Sequence, residues 1–79
     1  MIISAQIRAA RVALGWTTSQ LALQAGVATR TILRLEAADG FPQANSSTLV
    51  KVQCALEAAG IEFIGRPDEA PGIRIHVKG

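Results

Sequence analysis

Within thirteen residues, Thr17 to Thr29, the chain starts a helix, stops it and starts another. Thr17 and Gln20 have the spacing of a capping box, in which each side chain satisfies the other's orphan backbone N–H. Leu21, Ala22 and Ala25 follow on one face, and Gly26 supplies a turn geometry that costs glycine nothing. Only Val27 and Ala28 separate that glycine from the next helical periodicity at Thr29. Two short helices are therefore predicted, over 18–25 and from 29 to about 37 or 38. A short helix, a tight Gly-containing turn and a second helix make a helix-turn-helix arrangement.

The flanks supply the other helices. From Ser4 to Leu14, Ile7, Ala10, Arg11 and Leu14 recur at spacings of three and four, with Ser4 as a fair N-cap and Gly15 at a left-handed C-terminal position. In the third segment Ile32 and Leu35 form the inward stripe, while Arg30, Leu33 and Arg34 point elsewhere; Arg30 and Arg34 stand one turn apart and can share a face. Asp39-Gly40 closes it, and Pro42 makes 41–44 a loop. Asn45, Ser46 and Ser47 are equally good caps for a fourth helix, marked by Leu49, Val52, Leu56 and Ala59 and running to Gly60.

After Gly60 the pattern changes. Residues 61–64 are β-prone, 65–72 carry two Gly and two Pro and read as a loop, and Ile73 to Val77 alternate apolar and polar. The expected fold is mainly α with a small C-terminal β extension: a four-helix unit over 1–60 and a two-stranded β-hairpin over 61–79. A lone two-stranded ribbon is marginal in water, so it must pack on the helices, pair with another chain, or both.

Composition narrows the function. A chain of 79 residues buries only about 60–65% of its unfolded surface, so sharing a core with a second copy would help. At 49% hydrophobic residues it is not a disordered tail. One Cys allows no internal disulfide, and no Cys/His spacing suits zinc. Two Phe, one Trp and no Tyr leave little to stack on single-stranded nucleic acid. Net charge is a modest +2, and placement matters more than sum. No stretch approaches the ~20 apolar residues of a membrane span, and Met1-Ile2-Ile3-Ser4 lacks signal-peptide order. A cytoplasmic, nucleoid-associated location is the expectation.

Arg11, Leu14-Gly15-Trp16-Thr17, Gln20-Leu21-Ala22, Ala25-Gly26-Val27, Thr31-Ile32 and Leu35-Glu36 together make residues 5–59 resemble the Cro/repressor (XRE-type) helix-turn-helix regulators, with their lambda-repressor-like fold. The resemblance implies a structural ion pair between Arg11 and Glu36, and a third helix lying in the DNA major groove with Thr29, Arg30, Leu33 and Arg34 toward the bases. Arg suits guanine, and an outward Leu33 suits a thymine methyl, unless that helix is rotated and Leu33 is core. Thr17 and Thr18, at an open helix N-terminus, suit one phosphate; Gln43, Asn45 and Ser46 suit another. Ala28 departs from the family's usual Ser or Thr cap, at a cost of about 1 kcal/mol unless Thr29 compensates. The hairpin replaces the fifth helix of many relatives and is similar to the β extensions by which Cro-like proteins dimerise. By that analogy Ile61, Phe63, Ile73, Ile75 and Val77 form the dimer contact, with strand pairing within or between chains left open.

The leading expectation is a sequence-specific double-stranded DNA-binding transcriptional regulator, a homodimeric repressor on an inverted-repeat operator. The alternative is a protein-interaction module of the same fold, an antitoxin or antiactivator that masks another regulator. With so little room for an effector pocket, control is expected through concentration or a regulatory protein partner. His76 reads as a surface histidine, Cys54 as an inert buried thiol, and Asp68 and Glu69 as a solvated loop. No catalytic set, cofactor site or metal site is expected.

Overall fold

The computed structural model describes residues 2–38, 40–42 and 44–76. Four helices, α1 (Ser4–Ala13), α2 (Thr18–Ala25), α3 (Thr29–Ala37) and α4 (Ser46–Ala58), precede an antiparallel hairpin of β1 (Ile61–Arg66) and β2 (Glu69–Ile75). The molecule is mostly helical, and no described helix is long and apolar enough to cross a membrane.

Helix ends follow local chemistry. At α2 the Thr17 hydroxyl accepts the Gln20 N–H at 3.0 Å and Gln20 Oε1 accepts the Thr17 N–H at 2.7 Å. At its other end Gly26 is left-handed, φ 71°, and the Val27 and Gly26 N–H groups return to the Ala22 and Leu23 carbonyls. That double return satisfies carbonyls the helix would otherwise leave open. Gly15, φ 71°, likewise takes the left-handed turn after α1. Asn45 caps α4, its Oδ1 accepting from the Thr48 N–H and the Ser47 hydroxyl, both at 2.8 Å. No side chain caps α3, so Thr29 does not replace the cap missing at Ala28.

The cap expected at Ser4 is Ile3 instead. Gln6, three residues on, accepts the Ile3 N–H at 2.9 Å, so the helix begins one residue early. Ser4 becomes its first residue, 1% exposed, with its N–H on the Gly40 carbonyl at 2.9 Å. The Ser4 hydroxyl has no partner among the described residues.

The helical stripes meet in one core of Ile7, Ala10, Leu21, Ala22, Ile32, Leu35, Val52 and Leu56, with Ile2 and Ile61 at its margin. Ala22, 3% exposed, is small enough to let α2 and α3 pack closely. Leu14, Trp16 and Val27 close the core's rim.

The hairpin is longer than expected. Residues 65–72 are not a loop: β1 runs to Arg66, β2 begins at Glu69, and the turn is Pro67-Asp68. The strands pair within the chain, Ile61 opposite Ile75, Glu62 opposite Arg74, Phe63 opposite Ile73, Ile64 opposite Gly72 and Arg66 opposite Glu69. Ala70 and Pro71 together oppose Gly65, a bulge that absorbs residues hostile to regular strand. Gly65, φ 77°, is obligatory there, since a Cβ would stand 2.3 Å from the Ala70 carbonyl oxygen. The open edge of a two-stranded ribbon tolerates the N–H that Pro71 lacks.

One hairpin face lies on the helices, β2 along α1 and β1 along α4. Ile61 is 2% exposed within its own chain, which corrects its assignment as a dimer contact. It directly follows the turn at Gly60, which points it under α4 into the core. Phe63 and Ile73 pack half-buried on the same core, and Ile75 is 52% exposed. Val77 lies outside the described residues.

Candidate functional site

Burial of Ile32, Leu35 and Glu36 orients α3. Arg30, Leu33 and Arg34 consequently stand on its open side, with Thr29 half-buried at its start. Leu33 is 54% exposed, so of its two alternatives, core or surface, it takes the surface.

The helix is braced from behind by a two-point ion pair. Arg11 Nε lies 2.8 Å from Glu36 Oε2 and Nη2 lies 3.0 Å from Oε1, while Nη1 donates to the Trp16 carbonyl at 2.9 Å. Such paired geometry fixes direction as well as distance. Arg8 adds a bond of 3.3 Å to the Glu36 carbonyl, placing a cation at the negative end of α3. One arginine thus ties α1 to the side chain and another to the backbone of the same residue.

Charges on the open side are differently disposed. Among the described residues, ion pairs engage Arg11, Arg66, Arg74 and His76, but neither Arg30 nor Arg34. Four of the six acids are employed elsewhere, Glu36 behind α3, Glu57 against Gln53, and Glu62 and Asp68 on the hairpin, while Asp39 lies outside the described residues. Among the described residues, a modest net charge thereby leaves a locally uncompensated cationic face.

The starts of α2 and α4 carry further polar groups. At α2 the cap occupies the Thr17 and Gln20 N–H groups, so those of Thr18 and Ser19 remain available to an acceptor. Thr17 is exposed and Thr18 half-buried. At α4 the exposed Asn45 borders a polar cleft of about 280 Å³, whose wall includes Arg34, Thr31 and Thr48; Ser46, also exposed, is not part of that wall. Thr29, Arg30, Leu33 and Arg34 thus share α3, with Arg34 reaching the α4 cleft. Gln43 lies outside the described residues.

The hairpin holds groups that sequence reasoning left unpaired. On its outward face Glu62 meets Arg74 at 3.3 Å and His76 Nε2 at 2.6 Å. The hydrogen bond with His76, reinforced by Arg74, holds the Glu62 carboxyl below the usual carboxylate range against slight desolvation. Alternation pointed Arg74 outward, but only the strand register pairs it with Glu62. Gln6 was missed as well, though Ile3 and Gln6 repeat the three-residue spacing of Thr17 and Gln20. Cys54, expected to be buried, is exposed because it lies off the Val52–Leu56 stripe of α4. No group of three His, Cys, Asp or Glu converges among the described residues.

Comparison of the chain with protein-family models finds no match, and comparison with curated proteins finds none either.

Proposed function

We propose that this chain is a sequence-specific regulator of double-stranded DNA, of the helix-turn-helix kind, acting as a homodimer. The observation that carries this reading is the asymmetry of α3. Its inner side is locked by Arg11 and Glu36, and its outer side presents Arg30, Leu33 and Arg34 without an acidic partner among the described residues. Arg30 and Arg34 have the donors to take both acceptors of a guanine, and Leu33 offers apolar contact to a thymine methyl. The open N–H groups of α2 and the cleft at α4 are suited to phosphates on either side.

A second copy is the natural complement of the hairpin. Antiparallel partners alternate between facing and averted backbone groups. The His76 N–H meets the Gly60 carbonyl at 2.7 Å, so Ile73 and Ile75 turn their own N–H and C=O outward, beside the exposed Ile75 side chain. Pairing across that edge about a two-fold axis would place two α3 helices on one DNA face, with half-site centres about 34 Å apart. Ile75→Glu is expected to give a monomer in sedimentation; unchanged dimer would relocate the contact.

The test of DNA binding is affinity for fragments selected from random DNA, measured from 50 to 200 mM salt. A protein neutralising several phosphates loses orders of magnitude over that range. Arg30→Ala or Arg34→Ala is expected to weaken binding roughly ten- to hundredfold, the equivalent of about 1–3 kcal/mol per base contact, with the melting temperature unchanged. Variants that unfold instead make these arginines structural. The exposed Leu33 favours one second reading, a module that masks another regulator through a protein contact. That reading requires no salt-dependent DNA binding at all.

A further inference from the structure

Besides the buried Ile61, the hairpin meets the helices at two points of fixed direction. The first is Gly60, φ 106°, where the chain leaves α4 and its carbonyl takes the His76 N–H. The second is Gln6 on α1, only 5% exposed, whose Nε2 donates to the Gly72 carbonyl at 2.8 Å and to the Ile64 carbonyl at 3.3 Å. Its Oε1 meanwhile accepts the Ile3 N–H at 2.9 Å, so the amide cannot turn without losing the helix cap. Ile64 lies four residues beyond Gly60, about 13 Å along a strand. A pivot and a clamp that far apart define an angle. Of the apolar contacts between them, Ile61 is buried beside the pivot, whereas Phe63 and Ile73, nearer the clamp, are only half-buried. Apolar burial has no preferred direction, whereas a hydrogen bond does.

We propose that Gln6 is a positioning residue that sets the angle between the hairpin and the helices, and thereby the half-site spacing the dimer accepts. The second clause rests on the functional reading above. In a dimer joined through hairpins, each helical unit is an arm swinging from Gly60. A tilt of that arm moves α3 along the DNA, and a displacement of only about 3.4 Å is one base-pair step. The bases read stay the same; the distance between them changes.

Two variants separate this role from simple stability. Gln6→Glu keeps an acceptor for the Ile3 N–H but sets carboxylate oxygens against the two hairpin carbonyls. Gln6→Leu fills the volume with no hydrogen bond. Each is made in the full chain carrying Cys54→Ser, with spin labels at Gln24→Cys on α2 and Asp68→Cys in the hairpin turn. Labelled chains are diluted with unlabelled ones, so that distances within one chain are read. The unsubstituted Gln6 chain is expected to give one narrow distance, and both variants a broadened one. Fragments selected from random DNA by unlabelled chains are expected to keep their half-site sequence while the preferred spacing spreads from one value to several. A distance that stays narrow in both variants overturns the clamp. A broadened distance with unaltered spacing overturns its link to DNA. If the unsubstituted chain selects no DNA, the functional reading fails, and the distances decide separately whether Gln6 holds the angle.

Discussion

The helices and the hairpin are held by different physics. In the helices Ile7, Leu21, Ile32, Leu35, Val52 and Leu56 are each at most 1% exposed. Burial on that scale stabilises without demanding one orientation, since each side chain touches many neighbours weakly. On the hairpin only Ile61 is buried so completely, and the rest of its inner face is half-buried or open. What directs it on the helices is the pair of bonds from Gln6, while the His76 N–H on the Gly60 carbonyl and the bulge around Gly65 shape the ribbon itself. Stability is concentrated in one region and geometry in the other. The two should fail differently.

The largest effect is expected in the helices. Glu36→Ala strands Arg11, 17% exposed, with one bond to the Trp16 carbonyl, and should cost about 3 kcal/mol in chemical denaturation. A loss below 1 kcal/mol would mean that α3 is oriented by apolar packing alone. Next comes Gly65→Ala, which forces a left-handed residue against the Ala70 carbonyl and should cost about 2 kcal/mol. Hydrogen exchange should show that loss at the hairpin amides of Ile64 and Arg66, with Leu21 and Leu35 still protected. Equal loss in both regions would make them one cooperative unit and erase the contrast.

The same division decides what could be read in advance. Thr17 with Gln20, Gly26 and Gly15 act within a few residues of themselves, so their roles were legible from spacing. The inward stripe of α3 was legible for the same reason. It left Leu33 undecided, because a side chain beside a stripe is placed only by helices it does not adjoin in sequence. Asn45 won over Ser46 and Ser47 through side-chain geometry that composition does not encode. The hairpin misled further: Pro71 and Gly72 have loop chemistry, and only pairing with β1 through a bulge makes strand of them. Gln6 was hidden most deeply, since its partners Ile64 and Gly72 lie 58 and 66 residues away.

The smallest effect, confined to the hairpin, is its response to acid. Glu62 titrates below its ordinary range because His76 and Arg74 both favour its charged form. A carboxyl lowered on folding adds stability that is complete above its unfolded titration and is lost as pH falls through the folded one. Pairing of Glu62 with Arg74 and His76 should therefore weaken on the acid side of the carboxylate range. All three hairpin side chains are largely exposed, so the change is modest and shrinks in salt. Carboxyl NMR should show the Glu62 titration returning toward its ordinary position in His76→Ala, with hairpin amide protection at neutral pH slightly reduced. An unmoved titration would leave Arg74 as the source of the shift.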